Sequence, residues 1–545
     1  MADPGTIVSA AEACYKYGKK LVKFCQNWKH ADHELSERVR IVEICWAKTS
    51  AQIDLVQRLQ PIMENSLSRI MDDNFTILQG KLWRAATKVE SVQDTSSQSR
   101  PGIFGFHRRA KGFKYAREKE AIDEVIRDME DWQKRSEPSW FLIMRIANPF
   151  IDEELRCAAA NSSPLKLASK VREAVRPSGG PPSVELPKAS FKVSNIPFSH
   201  MKVGLHLSKN TQYIIDTLIV GPKSNAKAME HDVRDLAGRL TRVDSSVFGL
   251  LSCKGFMPVY EKSSLDSQSP QEKKPRIIAF DLVFRVPDNH DLSQAQSLRH
   301  LLWSNTRDSI EVLPSLSWRM QLAQELAKSV SYVHTFGFVH KSVRPESILL
   351  LKNITSGPSP SQNGPSAFLV GFDSFRAANA DTVLQGSGAW ELDIYNHPQR
   401  QGEHPSDAYK MQHDIYSLGV CLLEIGLWQS FVQFPTLATE CKPHPSKVFE
   451  AFIARLNSSE DMSQAFPVLL SAAPVDLKDY LLELARIELP RRVGEKYAEI
   501  VVTCLTCLDQ ENDFGEEADV ADDDGILVGV RFIETVHSRL TEIMI

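Results

Sequence analysis

Residues 338–350 read Phe338-Val-His-Lys-Ser-Val-Arg-Pro-Glu-Ser-Ile-Leu-Leu350. A polar loop is set between two apolar runs, and its reading decides what the rest of the chain is. The loop is preceded by a helical pattern over 317–335 that closes on Ser331-Tyr-Val-His-Thr-Phe-Gly337. It is followed by Phe368-Leu-Val-Gly-Phe-Asp373, by Tyr395-Asn-His-Pro-Gln399, and by Asp414-Ile-Tyr-Ser-Leu-Gly-Val-Cys-Leu-Leu-Glu424. One such loop is weak evidence; these stretches in this order and at this spacing are strong.

Around them, residues from about 191 to 545 mix strands and helices. The runs 213–220 and 276–286 are β-rich, and 228–240 and 317–335 read as helices. Residues 353–366 are a loop insertion, and 516–524 are an acidic loop without the ligand spacing of a calcium site. Residues 157–190 are dense in Pro, Gly and Ser and read as a linker, with one short helix at 165–175.

Residues 1–156 read as helices. Ile7, Ala11, Cys14, Gly18, Leu21, Cys25 and Trp28 step by three and four, as do Leu35, Val39, Val42, Trp46, Thr49, Ile53 and Val56. A third helix is expected over 62–90. A fourth carries Ala121, Val125, Met129 and Trp132 and is expected to end at Pro138, before a short apolar brace at 139–146. The expected fold is an all-α up-and-down bundle followed by an α+β domain, divided near residues 287 and 288 into two lobes.

Composition narrows the function. A net charge of −5 argues against a basic nucleic-acid binder. No basic leader precedes a long apolar run, and no window holds 18 consecutive apolar residues. Nine cysteines without a disulfide spacing point to a reducing, cytoplasmic setting. Cys504-Leu-Thr-Cys507 has no second pair, so no metal is expected there.

The ordered stretches resemble a protein-kinase domain: its catalytic loop, its metal-binding segment, the end of its activation segment and its central helix. The resemblance covers about 191–545. It implies that Ser342 stands where the catalytic aspartate belongs, Ser347 where an asparagine holds Mg²⁺, and Gly371 where the metal-binding aspartate belongs. The strand at 213–220 has no phosphate-gripping lysine, and no glycine-rich loop precedes it. Asp513-Phe-Gly515 lies past the central helix and is a decoy. Structural positions are kept: His340 and Phe372 where apolar groups stack, and Asp414 and Gly419 on the central helix, Asp414 as receiver of buried backbone donors. A pseudokinase is implied, with no metal and no cofactor, and with ATP binding not expected.

A helical bundle, a linker and a pseudokinase in that order resemble the mixed-lineage-kinase-domain-like architecture of necroptosis. The closer likeness is to fungal relatives with a HeLo-type bundle. It is carried by Ala11-Glu-Ala-Cys-Tyr-Lys-Tyr-Gly-Lys19, Glu37-Arg-Val-Arg-Ile-Val-Glu-Ile-Cys-Trp-Ala-Lys-Thr49 and Asp523-Asp-Gly-Ile-Leu-Val-Gly-Val-Arg531. No amyloid-type nucleation motif is seen.

The resemblance implies an anionic membrane lipid as partner on activation, recruitment to the plasma membrane, an upstream activating protein and a homo-oligomer. Nucleic acid is not an expected partner. Membrane-contact candidates are Lys16, Lys19, Lys20 and Lys23 on the first helix, and Arg108, Arg109, Lys111 and Lys114. Read from the residues alone, the same lysines are rather the solvated rim of a bundle whose stripe is core; the resemblance reverses this for the activated protein, while the resting protein keeps the stripe buried. Two rival readings remain: a soluble scaffold whose bundle binds protein partners, and a divergent active kinase.

Overall fold

The apolar stripes of the N-terminal region become long helices because residues three and four apart share a face. In the computed structural model these are α1 (Pro4–Gln26), α2 (His33–Leu59), α3 (Asn65–Ser97) and α4 (His107–Leu142). The structure describes residues 4–29, 33–97, 107–161, 165–176, 183–221, 225–261, 276–307, 313–354, 364–372, 376–377, 388–436, 442–455, 466, 468, 470, 474–512, 514 and 526–543. Two compact units divide the chain, residues 1–173 and 174–545.

In the first unit α1 packs on α2 and α3, and α4 packs on α2 and α3. Ala11, Cys14, Leu21 and Cys25 of α1 are buried, as are Trp28, in the turn just after it, and Leu35, Val39, Val42, Ile53 and Val56 of α2. Gly18 lets α1 come close: a Cβ there would lie 2.1 Å from the Trp46 ring. The third helix runs to Ser97, beyond the expected 90.

Pro138 does not end α4, which continues through it to Leu142. A proline removes one helical N–H bond, yet the last turn carries Trp140, Phe141 and Leu142, all buried. Burying these side chains outweighs the lost bond, since a fully buried large apolar side chain contributes about 1.5–3 kcal/mol.

The linker expected from 157 is also shorter than read. α5 (Pro149–Asn161) and α6 (Lys166–Val175) are helical, and the first unit extends to Glu173. The cause is Arg172, buried on α6. It donates to the carbonyls of Met144 (2.9 Å), Ile146 (2.6 Å) and Asn148 (3.0 Å), and forks onto both carboxylate oxygens of Asp152 at 2.8 Å. The carbonyls left open where the chain turns after α4 are satisfied by one guanidinium.

The second unit opens with an antiparallel sheet of order β1-β2-β3-β5-β4. Its strands are β1 (Phe191–Asn195), β2 (Lys202–His206), β3 (Thr211–Ile219), β4 (Cys253–Tyr260) and β5 (Ile277–Arg285). In the β3–β5 ladder Ile214 faces Phe284 and Asp216 faces Leu282. Between β3 and β4 run α7 (Ala226–Leu240), which packs on β4 and β5, and the single turn α8 (Ser245–Phe248). Asn225 caps α7 by accepting from the N–H groups of Lys227 and Ala228.

Beyond β4 the sheet is extended by residues 184–186. Leu186 N donates to Phe256 O at 2.8 Å, and Phe256 N donates to Val184 O at 2.9 Å. Gly255, at φ +151°, makes room: a Cβ would lie 2.2 Å from Val184 O.

Past β6 (His290–Ser297) the unit is mainly helical. α9 (Leu298–Arg307), α10 (Leu316–Thr335), α11 (Trp390–Asp393) and the fully buried α12 (Met411–Leu427) accompany small antiparallel sheets. β6 pairs with β8 (Ile348–Asn353) and β8 with β9 (Ser366–Leu369), while β7 (Phe338–Val339) pairs with β10 (Arg376–Ala377). The helices and strands expected from sequence at 213–220, 228–240, 276–286 and 317–335 all form within two residues of those bounds.

Candidate functional site

The loop 340–347 leaves β7, enters β8 and is held from below by α12. Asp414, fully buried, accepts from His340 N at 2.7 Å, Lys341 N at 2.9 Å, Tyr409 OH at 2.7 Å and His334 Nε2 at 3.1 Å. Burial alone would raise its pKa; the hydrogen bond and charge of His334 outweigh that and hold the carboxyl below its ordinary value. The grip is needed because Lys341 sits at φ +63°, a left-handed conformation that costs a non-glycine residue about 1–2 kcal/mol.

The remaining sequence-derived positions converge above this grip. The His340 ring packs on Phe372 at 4.8 Å. Ser342 is buried, and its Oγ accepts from Arg344 Nη1 at 3.2 Å. Gly371 adopts φ +80°, and a Cβ there would lie 3.0 Å from Ser347 Oγ. A carboxylate-bearing residue at 371 would therefore meet both backbone strain and Ser347. Gly419 lies further along α12, where a Cβ would come 2.7 Å from Cys504 Cβ. Cys504 and Cys507 are buried, and burial pushes both thiols above their ordinary pKa. Asp373 lies outside the described residues.

Sequence reading missed three parts of the site. The first is Asp216 of β3, fully buried, which accepts from Phe372 N at 3.0 Å. An acid in the middle of Tyr213-Ile-Ile-Asp-Thr-Leu-Ile219 was the available signal.

The second is the β1–β2 loop, residues 196–201. Ser199 Oγ donates to Glu346 O at 3.1 Å, Arg344 Nη2 donates to His200 Nε2 at 3.2 Å, and Ser297 Oγ donates to Pro197 O at 2.8 Å. Phe198, at φ +49°, inserts between Trp303 (5.1 Å) and Phe434 (4.8 Å). The loop is pinned onto the segment that carries Ser342 and Ser347.

The third is Arg299 of α9, fully buried, which donates to Glu346 Oε1 at 2.7 Å, Glu424 Oε1 at 3.0 Å, Ser430 Oγ at 2.6 Å and the Tyr395 hydroxyl. Burial would lower its pKa, but Glu346, Tyr395 and Glu424 hold it well above the usual value. Two carboxylates thus share one cation. Burial, together with the charge of Glu346, pushes Glu424 up, and Arg299 with Arg344 holds Glu346 down despite burial.

Chemically, the described site offers hydroxyls, imidazoles and carboxylates; Asp414 is fully engaged, whereas Ser347 Oγ is buried without a hydrogen-bond partner among the described residues. Among the described residues no group of three His, Cys, Asp or Glu side chains is placed to hold a metal ion.

On the first unit Lys16, Lys19, Lys20 and Lys23 all face solvent on α1. Lys20 pairs with Glu90 at 2.9 Å, and Lys19 lies over the Tyr15 ring. Arg108, Arg109, Lys111 and Lys114 belong to the first turns of α4 by backbone, and their side chains lie outside those described. Among the described residues no helix is long and apolar enough to cross a membrane. No protein-family model matches the chain, and no curated protein sequence matches it either.

Proposed function

We propose that residues 191–545 form a catalytically silent protein-kinase-like domain that controls an N-terminal helical bundle, and that the bundle acts on anionic membrane in a cell-death or incompatibility response. The observation that carries the first half is the pinned site. The β1–β2 loop is bonded to the segment that carries Ser342 and Ser347, and on this reading those serines and Gly371 stand in for base and metal ligands where a nucleotide phosphate would need room. The sheet order, the helix between β3 and β4, and the grip of Asp414 on the loop backbone support the kinase-like reading. Asp216 on β3 adds to it, since an acid there repels phosphate where an active enzyme needs a lysine.

The second half rests on the resemblance of the bundle and on its charge. Four lysines face solvent on α1 while its apolar stripe is core. Each cation adds about 1 kcal/mol of attraction near an anionic surface.

Two results are expected. With Mg²⁺ or Mn²⁺ and ATP, the purified chain shows no phosphotransfer to itself or to a generic protein substrate. Stoichiometric autophosphorylation would refute the silent-kinase reading.

In a vesicle-leakage assay the bundle, residues 1–176, binds and permeabilises anionic vesicles, and added salt weakens binding because it screens the attraction. The Lys16, Lys19, Lys20 and Lys23 to Gln variant keeps its melting temperature within a few degrees, since exposed charges contribute little to stability, and loses most of the binding. A folded quadruple variant that leaks vesicles as wild type does would return these lysines to a solvated rim. If the bundle does not bind vesicles at all, the soluble-scaffold reading takes its place.

A further inference from the structure

At the C-terminal end of α12, opposite the end that carries Asp414, two arginines meet. Arg319 of α10 donates from Nη1 to Gly426 O at 3.1 Å. Arg492, on the helix Pro474–Val493, donates from Nη1 to Leu427 O at 3.1 Å. These carbonyls close α12, where a helix carries roughly half a negative charge. Two guanidinium groups bring two full positive charges, more than the helix end balances.

Arg492 is partly exposed, with Glu488 3.8 Å away. Arg319 is only 7% exposed, and among the described residues it forms no ion pair. Its Nε is buried without a hydrogen-bond partner, so the Gly426 carbonyl satisfies one nitrogen of three. Burial lowers the pKa of Arg319, and the charge of Arg492 lowers it further. A buried cation without a counter-ion is costly, and an anion that reached it would relieve that cost.

There is room for one. A cavity of about 310 Å³ is lined by Leu313, Arg319, Leu427, Trp428, Gln429 and Arg492. Trp428 ends α12 in the left-handed region, at φ +55°, and packs edge-on against Trp318 at 5.6 Å. Its lining therefore combines two guanidinium groups with the apolar side chains of Leu313, Leu427 and Trp428. We propose that it is a binding site for a phosphomonoester, with the phosphate taken between Arg319 and Arg492 and a small apolar substituent against Trp428 and Leu313.

A tetrahedral dianion offers three terminal oxygens and two charges to two guanidinium forks, where a carboxylate offers two oxygens and one charge. The volume falls at the low end of the range for small-molecule sites.

Calorimetric titration of the full-length chain at fixed ionic strength tests this, with phenyl phosphate, inorganic phosphate and benzoate as probes. Phenyl phosphate is expected to bind saturably, more tightly than inorganic phosphate and at least tenfold more tightly than benzoate. Arg492→Gln, at a partly exposed position, is expected to fold and to bind phenyl phosphate at least tenfold more weakly. Arg319→Met removes the unneutralised buried charge. It is expected to abolish binding while melting no lower than wild type without ligand.

A soluble short-chain phosphatidic acid distinguishes the source of the phosphate: tighter binding than phenyl phosphate assigns the site to a lipid headgroup, weaker binding to a free phosphate ester. No saturable binding of phenyl phosphate, or equal binding by Arg492→Gln, would overturn the proposal. So would a strong loss of stability in Arg319→Met with phosphate binding intact, which makes Arg319 a cap of α12 alone.

Discussion

Arg299→Met is expected to lower the stability of the second unit by about 3–5 kcal/mol, the range for removing one partner of a buried ionic cluster. The cost is not the loss of the Arg299 bonds themselves, since a typical hydrogen bond contributes a net of only about 1 kcal/mol. It arises because Glu424 then loses its bonded cation in the interior, and Glu346 keeps only the charge of Arg344. The variant should recover part of the loss when Glu424 is also changed to Gln, because one buried charge disappears while the amide oxygen can still accept from Phe431 N and the NH₂ can donate to the Tyr395 hydroxyl. Calorimetry of the full-length chain reads both, as a shift in the transition of the second unit. If Arg299→Met and the double variant melt alike, Glu424 carries no charge in the folded protein.

Asp414→Ala ranks beside it. It strips the partner from two adjacent buried backbone N–H groups, from the Tyr409 hydroxyl and from His334. Unsatisfied buried groups cost about 1–3 kcal/mol each, so a loss of about 3–5 kcal/mol is expected. Asp414→Asn should recover little, since its NH₂ group would be turned toward donors.

The pH dependence has a definite sign. The folded carboxyl is held below its ordinary value, so its contribution is complete above the unfolded pKa of about 3.9. It is lost as pH falls through the lower, folded pKa. The gap between wild type and Asp414→Ala should thus be constant near neutrality and close in acid below about pH 4. A gap that instead widened in acid would mean that the protonated carboxyl is the better partner of the loop.

What the sequence made legible follows from distance along the chain. Ser342, Ser347 and His340 share one loop, and Gly371 and Phe372 share the next, so their positions could be read from contiguous motifs. Asp414 lies 74 residues from His340 but announces itself as an acid on an apolar helix. Glu424 closes the stretch read as the central helix, but Arg299, 125 residues away, stands in no motif, so nothing local marks their pairing. The pinned loop at 196–201 was invisible for a related reason. Its bonds run from Ser199 to a backbone carbonyl 147 residues away, and backbone acceptors carry no sequence signature. Pro138 shows the converse failure: a strong local rule yielded to three buried side chains in the turn that follows. The linker was overestimated because its composition was read without Arg172, whose contacts reach back 20–28 residues.

The pairing of residues 184–186 with β4 bears on how the second unit can be cut out and studied. A fragment that begins at 191, where the sequence alone suggests the domain starts, would lose that short parallel strand. Phe256 would then offer a bare N–H and C=O along an open sheet edge, beside Gly255, which has no side chain to shield it. Such an edge is a template for sideways pairing with another copy. Fragments starting at 191 should therefore self-associate and precipitate at concentrations where fragments starting at 183 remain monomeric, and oligomers seen with the shorter piece would report the cut rather than the protein.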